Sequence, residues 1–294
     1  MIKLLIIADD FTGALDTGVQ FSSRGAFTKV ITELNYDFSL TKENIDVLVI
    51  VAETRHLPPD KTYGIIFELV TRALPYVDYI YKKTDSALRG NIGSEFQALM
   101  DAADISYFPF FPAFPKMNRI TKNGIHYIEN IPVAESVFAV DPFTPVLSSS
   151  VSQIIETQTN TPAVSYSIGA LPNNSKSEIQ IFDSETDEDL QQLGNSLGLE
   201  NLKFCAGCAG FAPTLATMLG FNKNIQLLQP LSLPFFIICG SMNPITIKQV
   251  EVARSQGFPY AALTTAEKMG ESWNRTADTN NIQKWITAAN EKNQ

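Results

Sequence analysis

The chain has 294 residues, enough for one large or two ordinary domains, and 45% are apolar, so a sizeable core is available. Its formal net charge of −9 argues against a nucleic-acid partner or an anionic membrane surface. No stretch approaches the roughly 18 apolar residues of a membrane span, and the apolar N-terminal run is too short for a signal peptide. A soluble cytoplasmic protein is expected.

The first predicted element is a strand over 3–8, whose unbroken apolar run suits a strand buried on both faces of a parallel sheet. It runs into Asp9, Asp10, Phe11, Thr12 and Gly13. Thr12 is expected to cap the helix predicted over 13–24, with Gly13 keeping the turn tight. Asp9 and Asp10 then stand at a strand's carboxyl end, where open α/β sheets bind ligands. Two adjacent carboxylates repel each other unless they meet a cation, a metal or a substrate hydroxyl.

Strands follow near 27–32, 46–52, 77–82 and 105–110, then near 179–183, 202–205, 235–239 and 260–263. Helices are predicted near 61–74, 91–103, 147–157, 187–197, 209–220, 244–256 and 281–292. This alternation implies an α/β fold, a mostly parallel sheet with helices on both faces. The segment 108–145 breaks the rhythm with Pro109, Pro112, Pro115, Pro132, Pro142 and Pro145 and reads as a long functional loop or covering flap. A boundary is expected near 222–234, which divides the chain into 1–230 and 235–294.

Four further stretches could carry chemistry. Glu53-Thr54-Arg55-His56 follows the strand 46–52, so Arg55 also stands at a strand end. Lys82-Lys83-Thr84-Asp85-Ser86-Ala87-Leu88-Arg89 packs ammonium, guanidinium, carboxylate and hydroxyl groups between a strand and a helix, a mixture suited to an anionic ligand. The Pro-rich segment carries Pro112 to Arg119, then Gly124, and later Asp141-Pro142; Lys116 and Arg119 could add cationic contacts. Gly240-Ser241-Met242-Asn243-Pro244-Ile245-Thr246 is a Gly-Ser turn before a helix, a weak phosphate signal. Of the three cysteines, Cys205 and Cys208 form a CxxC that reads as a small-residue turn rather than a redox or zinc site. No P-loop, Rossmann, HExxH or GxSxG motif occurs, and no metal-ligand set is assigned.

Together these stretches resemble the four-carbon acid sugar kinase family. The matching segments are ADDFTGALD (8–16), ETR (53–55), KKTDSALRGNIGSE (82–95), PAFPKMNRITKNGIHYI (112–128), VFAVDP (137–142), CAGCAGFAPTLA (205–216) and GSMNPITIKQ (240–249). The resemblance implies an acid-sugar-binding domain over 1–230 and the start of a second α/β, nucleotide-binding domain over 235–294. It implies ATP-dependent phosphorylation of threonate, erythronate or 3-oxo-tetronate, with Mg2+ carried by ATP. Asp10, supported by Asp9 and Asp85, would orient or deprotonate the acceptor hydroxyl. Thr12, Arg55, Lys82, Lys83, Ser86 and Arg89 would hold the acid sugar, and Gly240, Ser241 and Thr246 would face the nucleotide. The family's downstream Gly-Gly-Asp-Thr type motif is missing. The rival reading is a non-catalytic acid-sugar-binding fragment or half of a split kinase, with a homo-oligomer or a complementing nucleotide domain as partner. A third, an Asp nucleophile in a hydrolase-like or phosphatase-like enzyme, sits poorly with the cationic loop.

Overall fold

The computed structural model describes residues 1–40, 44–223, 237–240 and 244–262, with seven isolated positions beyond them. In chain order the elements are β1 (Ile2–Ala8), α1 (Phe11–Ser22), β2 (Thr28–Ile31), β3 (Val47–Val51), α2 (Pro59–Ala73), β4 (Val77–Lys83), α3 (Ile92–Ala103), β5 (Tyr107–Phe111), β6 (Arg119–Lys122), β7 (Ile125–Ile128), β8 (Ile131–Pro132), α4 (Val151–Glu156), β9 (Ala163–Tyr166), β10 (Glu178–Phe182), α5 (Asp187–Leu197), β11 (Phe204–Gly207), α6 (Ala212–Met218) and α7 (Pro244–Ser255).

Eight strands form one sheet in the order β2-β3-β1-β4-β11-β5-β10-β9, and every pairing is parallel. Side chains alternate between the faces, so each strand feeds two cores. Leu5 and Ile7 of β1 pack with Ile66 and Leu69 of α2, Phe96 and Leu99 of α3 and Ile155 of α4. Leu4, Ile6 and Ala8 pack with Ala14 and Phe21 of α1, Leu190 and Leu193 of α5 and Leu215 of α6. From β1 the chain moves to one side through α1 and β2. From β4 it moves to the other side through α3 and β5. The direction reverses between β1 and β4, which opens a crevice at their carboxyl ends.

Several sequence expectations are corrected. Asp10, not Thr12, caps α1: Asp10 Oδ1 accepts the Gly13 backbone N–H at 2.9 Å, and Asp10 has the extended backbone of a cap. The helix expected over 147–157 is shorter, because Ser150 caps it and its first turn starts at Val151. The segment 108–145 is not all loop. It contains β5 and a three-stranded antiparallel sheet, β6-β7-β8. Both of its turns have two left-handed residues, Asn123 (φ 51) with Gly124 (φ 73), and Glu129 (φ 51) with Asn130 (φ 65). That is the type I′ geometry matching the twist of the flanking strands.

The described chain divides into two compact units, Met1–Leu227 and Leu228–Gln294. Residues 237–239 and 260–262, expected in strands, are not in one, and the remainder of those two stretches lies outside the described residues. An apolar run becomes a strand only where a neighbouring strand accepts its backbone, and none is described beside Ile237 and Ile238, which are exposed. The second unit therefore shows α7 and no strand among the described residues. No helix among the described residues is long and apolar enough to cross a membrane.

Candidate functional site

The crevice between β1 and β4 gathers Asp9 and Asp10 from the β1–α1 turn, Arg55 from the segment after β3, and Lys83 to Arg89 from the end of β4 and the loop after it. Arg55 is the hub. Its Nε donates to Asp9 Oδ2 at 2.7 Å and its Nη1 to Asp10 Oδ2 at 2.8 Å, while Nη2 lies 3.8 Å from Asp85 Oδ1. Burial works against the Arg55 charge, but Asp9, Asp85 and Asp10 outweigh it and raise its pKa. The adjacent carboxylates thus tolerate each other because a guanidinium sits between them. Asp10 is the most open, its side chain 22% exposed against 3% for Asp9. The second Asp9 oxygen is buried with no partner.

Arg89 is the second cation. It grips Asp85 through Nε at 2.7 Å and Nη2 at 3.2 Å, and reaches Asp141 Oδ2 through Nη1 at 3.0 Å. Burial pushes the Asp85 carboxyl up, but Arg89 and Arg55 hold it well below the usual carboxylate range. Asp141 is lowered to about 2, first by the backbone N–H of Thr144, then by that of Phe143 and by Arg89. Gly90 follows with φ 94, a left-handed turn that other residues rarely adopt, and a side chain there would press on Arg55.

The two lysines of β4 separate. Lys83 lies on the α1 face. It is buried and donates to the Thr84 carbonyl at 2.5 Å; among the described residues no carboxylate pairs with it. Its ammonium rests against Gly13 so closely that a Cβ there would lie 2.6 Å from Nζ and 2.5 Å from Asp10 Oδ1. A Cβ at Gly13 would make the ammonium and the Asp10 carboxylate shift from these positions. Lys82 lies on the other face, fully buried against Glu95 at 2.9 Å. Ser86 Oγ accepts from Arg119, and Thr12 is exposed on the first turn of α1.

Sequence reasoning gave no role to Phe138, Glu95 or His126, and named Asp141 only as a member of the Pro-rich segment. Phe138 lies 5.0 Å from the Arg89 guanidinium and 5.3 Å from that of Arg119, a cation–π contact with each. The stretches KKTDSALRGNIGSE and VFAVDP ended on Glu95 and contained Asp141, which was the available signal. His56 is exposed, its ring 5.6 Å from that of Phe143. Both CxxC cysteines are buried; Cys208 Sγ contacts the Ala113 carbonyl at 3.2 Å, and burial pushes its thiol up to about 11. Beside the crevice a cleft of about 990 Å³ is lined by Arg55, His56, Leu88, Arg89, Phe143 and Gln158, among others.

Of the residues expected to face a nucleotide, Ser241 lies outside the described residues. Gly240 is exposed with no regular structure, and Thr246 lies on α7. The described residues of the second unit do not form a strand-end cradle for a triphosphate. Among the described residues no group of three or more His, Cys, Asp or Glu side chains could hold a metal ion. The carboxylates of the crevice are matched to guanidinium groups instead.

A family profile described as a sugar-binding N-terminal domain matches residues 4–215. The chain is 31% identical over 285 residues to a D-threonate kinase of Salmonella typhimurium, covering 91% of this chain and 64% of that protein. It is 30% identical to a D-erythronate kinase of Heliobacterium modesticaldum, covering 88% and 62%. It is 28% identical to a 3-oxo-tetronate kinase of Escherichia coli, covering 85% and 69%. The chain thus spans a little under two thirds of the first two of these relatives. In fold it is similar to a Haemophilus influenzae protein with a TM-score of 0.71 at 20% identity, covering 97% of this chain and 72% of that one. It is also similar to a Bordetella bronchiseptica domain-swapped dimer with bound citrate, with a TM-score of 0.67 at 24% identity, covering 96% and 68%. The match over the sheet and its crevice gives the family: this chain belongs to that of the sugar-binding N-terminal domain, whose relatives include four-carbon acid sugar kinases.

Proposed function

We propose that the first unit binds a four-carbon acid sugar in the crevice between β1 and β4 and presents one of its hydroxyls for phosphorylation by ATP. The observation that carries this reading is the meeting of the Asp9–Asp10 pair with Arg55, Lys83 and the Asp85–Arg89 loop at the point where the sheet reverses direction. Lys83, with a carbonyl as its partner, has donors to spare for an anionic ligand. Arg55 and Arg89 flank it, and Ser86 and Thr12 add hydroxyls. Asp10, the most open carboxylate, is the group to accept a hydrogen bond, and then a proton, from the acceptor hydroxyl. Phosphoryl transfer needs positioning and charge neutralisation more than covalent help.

ATP, with its Mg2+, supplies the phosphoryl group in this reading. The described residues of the second unit form no strand-end cradle for a triphosphate, and in this reading a complementing nucleotide-binding domain supplies that surface. A second reading, an acid-sugar-binding unit without turnover of its own, is favoured by the family match, which is to a sugar-binding domain and covers residues 4–215.

Calorimetric titration with D-threonate, D-erythronate and L-threonate, then with Mg-ATP, tests both. At least one acid sugar should bind, and Lys83→Ala should weaken binding at least about tenfold, roughly 1.4 kcal/mol. ADP release abolished by Asp10→Asn supports the kinase. Acid-sugar heat without ADP supports the binding unit. Absence of heat with every acid sugar sinks both.

A further inference from the structure

Lys82 and Lys83 are neighbours in β4, yet alternation sends them to opposite faces of the sheet. Lys83 faces α1 and the crevice. Lys82 has no exposed side-chain surface and pairs with Glu95 of α3, itself 2% exposed, at 2.9 Å. The same ammonium donates to the Lys83 carbonyl at 2.9 Å. The other Glu95 oxygen accepts the Thr54 hydroxyl at 2.5 Å. The Thr54 carbonyl is held in turn by Asn91 Nδ2 at 2.9 Å. One ion pair therefore grips the backbone residue of one site cation, Lys83, and the residue just before the other, Arg55.

Nothing about the fold demands ions at this place. Taking two charges out of water costs about as much as their attraction returns, and well-packed apolar residues in the same volume serve stability as well or better. Burial, with Asp9 adding to it, pushes the Glu95 carboxyl up, and Lys82 and the Thr54 hydroxyl oppose the rise. We propose that the Lys82–Glu95 pair is a positioning pair: it touches no ligand, and it fixes where Lys83, on the other face of the sheet, and Arg55, at its carboxyl end, stand. The inference rests on the acid-sugar reading only for its binding readout.

The test compares the whole chain with Lys82→Met/Glu95→Met, which replaces both ions by apolar side chains. A second variant, Lys82→Met/Glu95→Gln, also removes both charges but leaves Thr54 an acceptor. Thermal unfolding and D-threonate titration are measured on each, with Lys82→Arg as the conservative control. In parallel, the Arg55 Nε–H signal is followed by NMR of the 15N-arginine-labelled protein without ligand. The expected result is a melting temperature equal to or above that of the parent, D-threonate affinity at least tenfold weaker, and an Arg55 signal lost or moved. Lys82→Arg should keep most of the affinity. Unchanged affinity and an unchanged Arg55 signal in a folded double variant would overturn the proposal. Failure of both double variants to fold would overturn it too, by making the pair a stability device. If the parent itself binds no acid sugar, the functional reading falls, and the Arg55 signal alone decides the fate of this one.

Discussion

At the scale of single residues, His126 shows how a polar side chain is accommodated without solvent. It is fully buried, with Nε2 3.0 Å from the Ser86 carbonyl and Nδ1 3.0 Å from Thr121 Oγ1. A carbonyl only accepts, so Nε2 carries the proton and Nδ1 accepts from the threonine hydroxyl. Burial pushes its pKa down from 6.5 to about 4, with Arg119 adding to the fall and the Ser86 carbonyl and Asp85 opposing it. The unfolded chain thus binds a proton that the folded chain refuses. The His126 contribution is fully present above about pH 6.5 and is lost as pH falls towards 4, an effect on the order of 3 kcal/mol. His126→Gln should flatten the dependence of urea-unfolding free energy on pH between 6.5 and 4, and an unaltered slope would refute it. Much of the crevice was legible at this scale. Asp9, Asp10, Arg55, Asp85 and Arg89 were singled out because charged residues clustered after apolar runs, and the fold brings them within reach of one another. What the sequence hid was direction. Nothing in Lys82-Lys83 as a string says that one ammonium enters the core, although β alternation excludes both from one face. The cap at Asp10 was hidden by the more conspicuous Thr12, two residues on.

At the scale of elements, one carboxylate ties the end of the stretch after β8 to the crevice. Asp141 accepts from the Phe143 N–H at 3.0 Å and the Thr144 N–H at 2.9 Å through one oxygen, and from Arg89 through the other. The Phe138 ring adds its contacts with Arg89 and Arg119. Val137, Val140, Phe143 and Leu147 are exposed, whereas Val133 and Val146 are buried and anchor the two ends of the stretch. Asp141→Ala should raise amide hydrogen exchange at Phe143 and Thr144 roughly tenfold while leaving the amides of β1 and β4 unaffected. Equal exchange at all these sites would show that the stretch is held otherwise. Long apolar strands and capped helices were readable because their periodicity is strong. The β6-β7-β8 sheet was not read because its strands have two to four residues, flanked by prolines and aromatics. The Asn123-Gly124 pair was its one clear signal, since those residues favour the turn found there. The edge strand β9 had no such signal, with only four residues and half of them exposed.

At the scale of the whole molecule, the eight-stranded sheet and its two helical layers lie within the first unit. The family match also ends inside it, at residue 215. A chain cut after residue 227 should therefore keep a cooperative thermal transition within a few degrees of the parent; a broad, non-cooperative melt would contradict this. The parallel α/β class was legible from the alternation of elements. The strand expectation fails at the described residues 237–239, because an apolar run reads the same in sequence with or without neighbouring strands. The β4 doublet has one more consequence. A parallel strand that is apolar on both sides carries almost no pattern to align it, so a slip of one residue is weakly opposed by hydrophobicity. In β4 the alignment is written in polar groups: Tyr81 Oη donates to the Cys208 carbonyl at 2.6 Å, and Lys82 meets Glu95. A slip in one direction offers Glu95 a phenol. A slip in the other leaves α1 facing a threonine. In the finished fold these polar pairs thus mark the one alignment of β4 that assembles the crevice.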